Sequence, residues 1–251
     1  MMSNITNKKK VHQRIAKLIA HSGAYSRRDA EKLINEGKVE VDGKILTSPA
    51  TVVDGSEKII IDGKKINTNF QTKIWLLNKP KGFISTSKDP QGRKTIFDLL
   101  PKNINHIMPI GRLDINTEGL LLFTNDGNLS RYMEHPDNKL IRKYKIKVRG
   151  KVAEDLITNM QKNITISRIQ YNIVAANIIS HSQSNTWLSI EISEGKNREI
   201  RNICEHFRLQ INRLVRTNFG PFELNNIQKG EFIELPKKII ISRLKKIGYM
   251  G

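Results

Sequence analysis

Four consecutive apolar residues, Leu120–Phe123, stand between Gly119 and the turn-forming triplet Asn125-Asp126-Gly127. So short an apolar run between turn formers predicts a buried strand. The residues leading into it, "PIGRLDINTEG", place Asp114, Asn116 and Glu118 two apart and then Gly119, like the opening of a calcium loop. Such a loop needs a bidentate carboxylate at its twelfth position. Counted from Asp114, that position is Asn125, and the ninth is Leu122, inside the apolar run. A calcium site is therefore not expected. Asp126 reads as turn chemistry, and Glu118 has no assigned role. Asp114 fits a turn cap, but its company differs: Arg112 precedes it by two residues and a buried strand follows.

That acidic cluster sits in a strongly basic chain. Among 251 residues, 43 Lys+Arg oppose 24 Asp+Glu, for a formal charge of +19. The length suggests one or two domains, and the natural partner is a polyanion. No apolar run is long enough to span a bilayer. The N-terminus, "MMSNITNKKK", has no apolar core of the secretory kind. One cysteine, Cys204, excludes an internal disulfide framework and reads as a small core residue. Histidines 12, 21, 106, 135, 181 and 206 form no H-E-x-x-H pattern. Neither a P-loop nor G-x-G-x-x-G occurs. The expectation is a cytoplasmic, monomeric protein working without metal or cofactor.

Residues 1–10 read as a basic flexible tail. Ile15, Leu18 and Ile19 recur at helical spacing, and Gly23 closes that helix. Ser26 and Asp29 have capping-box spacing ahead of a second helix, whose apolar face is Ala30, Leu33 and Ile34 and whose stop is Gly37. Two hairpins turn at Asp42-Gly43 and Asp62-Gly63. Arg27 and Arg28 at a helix N-terminus suit a phosphate, though a charge pair is usually just solvated.

Asn69–Lys73 reads as a linker. A strand at Ile74–Leu77 then opens a second domain, followed by a long loop bearing Lys79, Lys81, Lys88, Arg93 and Lys94. Further strands are expected in "YKIKVRG", "YNIVAANIIS", "TWLSIEIS" and "INRLVRTNFGPFEL", with helices in "VAEDLITNM" and "NREIRNICEHF". From Lys237 the sequence fits either a short helix or a flexible arm. The fold class is α+β, with a mixed, mainly antiparallel sheet.

Two sets of residues carry a family resemblance. "LIAHSGAYSRRDAEKLINEGKVEVDGK" resembles the S4 RNA-binding module. "GRLDINTEGLLLFTNDG", "HPDNKLIRKYKIKVRG" and "ISEGKNREIRNICEHFRLQINRLVRTNFGPFEL" resemble, in order, the motifs of the RsuA/RluB family of rRNA pseudouridine synthases. The likeness runs from about residue 11 to about 236. It implies an S4-like domain at 11–70, a pseudouridine synthase domain at 74–236 and a basic C-terminal tail at 237–251. It also implies isomerisation of uridine in ribosomal RNA, with Asp114 as nucleophile, Arg201 as its partner and Tyr144 stacking on the base. Tyr144 on alternation alone also fits a strand tyrosine in the core. RNA contacts are expected from Arg27, Arg28, Lys79, Lys81, Arg93, Arg112, Lys196 and Arg198. Asn202 departs from relatives that carry a second basic residue there. The "EGKNREIRN" and "GPFEL" stretches lean towards the large-subunit branch. A small-subunit enzyme and a non-catalytic ribosome-assembly binder are the alternatives.

Overall fold

A computed structural model of the chain describes residues 12–67, 71–104 and 106–249. The expected N-terminal tail and Asn69 and Phe70 of the expected linker lie outside them. The chain divides into two compact units, one built from residues up to Thr72 with Lys102–Ile107, the other from Lys73–Pro101 and Met108 onwards.

In the first unit β1 (Gln13–Arg14) leads into α1 (Ile15–His21) and α2 (Arg27–Asn35). The Ser26 side chain accepts the Asp29 N–H and caps α2. The helix ends before Gly37, whose φ of +68° costs a glycine nothing. Strands β2 (Val39–Val41), β3 (Lys44–Leu46), β4 (Val52–Val53), β5 (Ile59–Ile61) and β6 (Lys64–Lys65) follow. β4 pairs with β1, and the others form a sheet in the order β3-β2-β5-β6. Asp42 and Asp62 each take positive φ before a glycine, which is the primed turn that matches strand twist. Ile15, Ile19, Ala30, Ile34, Val39, Ile59 and Ile61 form the core.

The second unit is organised by one nine-stranded sheet. Its strands are β7 (Ile74–Lys79), β8 (Met108–Ile110), β9 (Glu118–Thr124), β10 (Arg142–Arg149), β13 (Ile173–His181), β14 (Asn185–Ile192), β15 (Ile211–Phe219), β16 (Phe222–Glu223) and β17 (Phe232–Glu234). A separate hairpin is made by β11 (Ile164–Ile166) and β12 (Ile169–Tyr171). The main order is β13-β14-β10-β15-β9-β7-β17, with β8 on β9 and β16 on β15. Only the β9–β15 pairing is parallel. The fold is thus α+β with a mixed, mainly antiparallel sheet. Every residue of β9 is buried, as its apolar run requires.

Four helices complete this unit: α3 (Gly127–Glu134), α4 (Glu154–Met160), α5 (Glu199–His206) and α6 (Lys237–Lys246). Asn125-Asp126-Gly127 is more than a turn. The Asp126 carboxylate accepts the N–H groups of Asn128 and Leu129 and so starts α3. The segment from Lys237 is a helix and not a detached tail. Its Ile240 and Leu244 enter the core with Leu120, Leu122, Met133 and Phe219, and the Tyr249 hydroxyl donates to Asp126 at 3.1 Å. The basic residues seen in the sequence hide that apolar stripe. Cys204 is buried, and burial pushes its thiol up to about 12.

The parallel seam is unusually close. Gly119 has φ +101°, and a Cβ there would lie 2.3 Å from the Arg216 carbonyl oxygen and 2.9 Å from its nitrogen. Backbone cannot yield as a flexible side chain would. Gly119→Ala is expected to cost about 3 kcal/mol or more, by strain and overpacking together. Urea denaturation will measure this, and a loss below about 1 kcal/mol would show that the seam relaxes.

Candidate active site

The turn Asp114–Thr117 joins β8 to β9 through a backbone bond from Thr117 N–H to Asp114 C=O of 3.0 Å. Three neighbours pin it. Lys79, fully buried at the end of β7, sends its ammonium to the carbonyls of Pro80 (3.2 Å), Asp114 (3.1 Å) and Thr117 (2.9 Å). The Ser85 hydroxyl donates to Leu113 C=O at 2.7 Å and accepts the Leu113 N–H at 3.1 Å. Gly82 N–H donates to Ile115 C=O at 2.9 Å. Burial pushes Lys79 down to about 8, with Asp114 and Glu118 opposing that fall, so it remains an ammonium at neutral pH.

Arg201, on α5, closes the turn from the other side. Its Nη2 donates to Asn116 C=O at 3.0 Å and to Thr117 Oγ1 at 3.2 Å. Its Nε lies 3.5 Å from Asp114 Oδ2. Arg198 Nη1 reaches the same oxygen at 3.7 Å. Arg198 sits at the N-cap of α5 with φ +52°, a left-handed conformation that turns the chain into the helix. The side chain of Asp114 keeps 36% exposure, so one carboxylate faces two guanidinium groups and open space.

That space is a cleft of about 750 Å³. Asp114, Arg112, Lys196, Arg198 and Arg201 stand in its wall with Tyr144. Tyr144 lies on β10 in register with Arg216 on β15, and both line the cleft. Arg142 and Arg216 flank the Phe219 ring, their guanidinium carbons 4.6 and 5.0 Å from its centroid. Arg142 spends its donors on the carbonyls of Leu140, Ser193 and Met133. Glu199, at the start of α5, is a buried cleft carboxyl whose Oε2 accepts Lys196 N–H at 2.9 Å. Burial raises its pKa above the usual carboxylate range. Among the described residues no cluster of His, Cys, Asp and Glu suits a metal.

A carboxylate exposed in a cationic, partly aromatic cleft can serve as a nucleophile towards an anionic substrate. The match to the model described as RNA pseudouridylate synthase decides which chemistry this is: it spans residues 73–206, more than half of the chain. The chain belongs to the RNA pseudouridylate synthase family. An S4 domain model matches residues 13–59. A Rickettsia felis protein named an uncharacterized RNA pseudouridine synthase is 45% identical over 91% of this chain and 99% of its own length. Proteins named ribosomal large subunit pseudouridine synthase B share 37% identity in Buchnera aphidicola and 35% in Bacillus subtilis. These cover 91% and 89% of this chain and 94% and 92% of their own lengths. A solved pseudouridylate synthase has the same fold at a TM-score of 0.63 and 22% identity, covering 92% of this chain and 99% of its own.

Within this RNA pseudouridine synthase, the expected site residues separate. Arg93, Arg112, Asp114, Tyr144, Lys196, Arg198 and Arg201 meet at one cleft. Arg93 is already forked onto Asp89, at 2.7 and 3.0 Å. Lys196 is paired with Glu194 and lies 5.7 Å over the Tyr171 ring. Lys81 stays outside the cleft and donates to Asn212 C=O at 3.4 Å. Arg27 and Arg28 lie in the first turn of α2, in the other unit, and Arg27 pairs with Glu31 at 3.1 Å. Lys79 corrects its expectation. It belongs to a strand and not a loop, and its ammonium is spent on buried carbonyls, so no phosphate can reach it. Glu118 acquires a role: Arg213 grips it at 3.0 Å through two nitrogens and Lys229 at 2.8 Å. Burial works to raise its pKa, but these cations outweigh burial and hold it below the usual range.

Ser85, Thr117, Arg142, Glu199 and Arg216 are site residues that the sequence reading did not single out. Arg216 had a signal: strand alternation places it on one face with Leu214, where an arginine is out of character. Ser85 and Thr117 had none.

Lys79→Met removes the ammonium that fixes Asp114 while leaving the cleft wall untouched. Turnover is expected to fall about 10²-fold if it depends on the placement of Asp114, with RNA affinity unchanged. The folded chain gives up the Lys79 proton more readily than the unfolded chain does. The stability of wild type relative to Lys79→Met should therefore increase as pH rises from about 8 towards 10.5. Denaturant melts across that range check the sign.

Proposed function

We propose that this chain converts a uridine of large-subunit ribosomal RNA to pseudouridine, with Asp114 as the nucleophile. The observation carrying the proposal is the Asp114 carboxylate, half open to a cationic cleft and flanked by Arg198 and Arg201 at 3.7 and 3.5 Å. The names borne by the Buchnera and Bacillus relatives support the large subunit as the substrate.

The reaction detaches the base from C1′, turns it, and rejoins it through C5. Neither oxidation nor hydrolysis occurs, so side chains suffice. Asp114 attacks the nucleoside, and the bond it forms breaks again as the base is rejoined, which returns the free carboxylate. Arg201 holds the carboxylate and the backbone of its turn at once, which orients the attacking oxygen. Tyr144 provides an aromatic face for the uracil ring. A uridine within folded RNA must leave its stack to enter a cleft of this kind. Arg112, Lys196 and Arg198 on the rim then offer cations to the displaced backbone, positioning the RNA without reading its sequence.

Asp114→Asn is expected to abolish release of tritium from C5-labelled uridine in rRNA while leaving RNA binding intact. Arg201→Ala should reduce turnover at saturating RNA far more than affinity, because many cations remain. Full turnover in Asp114→Asn would refute the nucleophile assignment. Equal pseudouridine maps of rRNA from cells with and without the protein would instead favour a binding role alone.

The first unit makes its own prediction. Replacing Arg27 and Arg28 together by alanine should raise the RNA concentration required and flatten the salt dependence of binding, with turnover at saturation preserved. An unchanged salt slope would show that this helix end does not touch RNA.

A further inference from the structure

Arg216 is a buried cleft arginine with a guanidinium donor that the described protein leaves unpaired. Its side chain is 3% exposed. Its Nε donates to Leu120 C=O at 2.8 Å, and the Tyr144 hydroxyl is within hydrogen-bonding reach of its guanidinium. Its Nη2 is buried without any hydrogen-bond partner. No carboxylate among the described residues forms an ion pair with it. The neighbouring cation, Arg142, repels it. A buried guanidinium left with a free donor is costly unless something completes it.

The contrast with Arg142 locates what is missing. Both arginines flank the same Phe219 ring, but Arg142 is satisfied by three protein carbonyls. Arg216 opens on the cleft beside Tyr144. An oxygen acceptor entering the cleft next to the tyrosine would complete this donor.

We propose that Arg216 is a catalytic residue that donates through Nη2 to a carbonyl oxygen of the uracil and stabilises the anion formed when the base leaves the sugar. This rests on the proposed uridine isomerisation with the base against Tyr144. As the C1′–N1 bond breaks, its electron pair stays on the base, whose negative charge spreads onto the carbonyl oxygens. The pair is returned when C5 bonds to C1′. The proton then lost from C5 is balanced by one gained at N1, so no redox partner is needed. A donor fixed where charge develops, in a site shielded from water, is effective because it needs no reorganisation during the reaction. Arg201 cannot supply it, since its contacts are to Asp114 and the turn.

The test compares Arg216→Gln with wild type on two otherwise identical RNAs, one with uridine and one with 5-fluorouridine at the target position. Conversion of the N-glycoside is followed by nucleoside analysis at saturating RNA. Fluorine withdraws electrons and stabilises the departing base, so that base depends less on Arg216. On uridine the variant should lose about 10²–10³-fold in rate, typical of removing one such donor. On 5-fluorouridine the loss should be at least tenfold smaller. Both rates come from one protein preparation, so any unfolded fraction cancels in the comparison. Arg216→Lys, which keeps the charge, should recover part of the uridine rate. An equal loss on both RNAs, or a loss confined to RNA affinity as for a phosphate contact, would overturn the assignment to Arg216 alone. A wild type that leaves uridine unchanged would overturn the proposed isomerisation itself.

Discussion

The candidate site depends on a lysine that faces no solvent. Lys79 ends a buried strand, and its ammonium draws together three carbonyls, two of them from the turn that carries Asp114. Charged donors make the stronger hydrogen bonds, and the desolvation of this one is offset only where all three contacts form. The turn has no hydrophobic side chain that could anchor it as firmly. Ser85 and Gly82 add contacts from the same loop, and Arg201 reaches over from α5. The carboxylate is thereby fixed through its backbone, and its side chain faces Arg198, Arg201 and the cleft.

Two kinds of cation then divide the work by depth. Those at the rim (Arg112, Lys196 and Arg198) are exposed or partly so, and salt screens them readily. Arg142 and Arg216 in the cleft wall and Lys79 behind it are buried, and each donates to backbone carbonyls. The buried group shapes the cleft and gives it a fixed positive potential. The rim meets whatever the cleft receives. A count of basic residues cannot separate the two, which explains why Lys79 and Lys81 look alike in the sequence and differ so much in the fold.

The sequence disclosed most where local rules act alone. The helix pair with its Ser26 cap, the two Asp-Gly hairpins and the buried strand at Leu120–Phe123 could be read from capping, turn chemistry and apolar runs. Asp114, Tyr144 and Arg201 were legible through ordered motifs, and the structure brings these three into one cleft. What stayed hidden was set by distant partners. Asn125-Asp126-Gly127 was legible as a turn, but not the helix that Asp126 caps, which packs Leu129 and Met133 against distant strands. The segment from Lys237 fitted a flexible arm as well as a helix because lysines surround Ile240 and Leu244. The Ser85 and Thr117 hydroxyls act through hydrogen bonds to Leu113 and Arg201, far along the chain, and no local pattern signals such bonds.

The parallel seam between β9 and β15 has a kinetic meaning. It is the one place where the strand after Asp114 meets the strand of Arg216, and the Arg216 bond to Leu120 spans 96 residues of chain. Loop closure over so long a segment is entropically expensive, and pairings of this kind form slowly. Hairpins such as β13–β14 and β7–β9 with β8 have nearer partners and can form before it. The cleft is therefore expected to be completed late, when Gly119 packs against the Arg216 backbone and joins the two halves of the sheet.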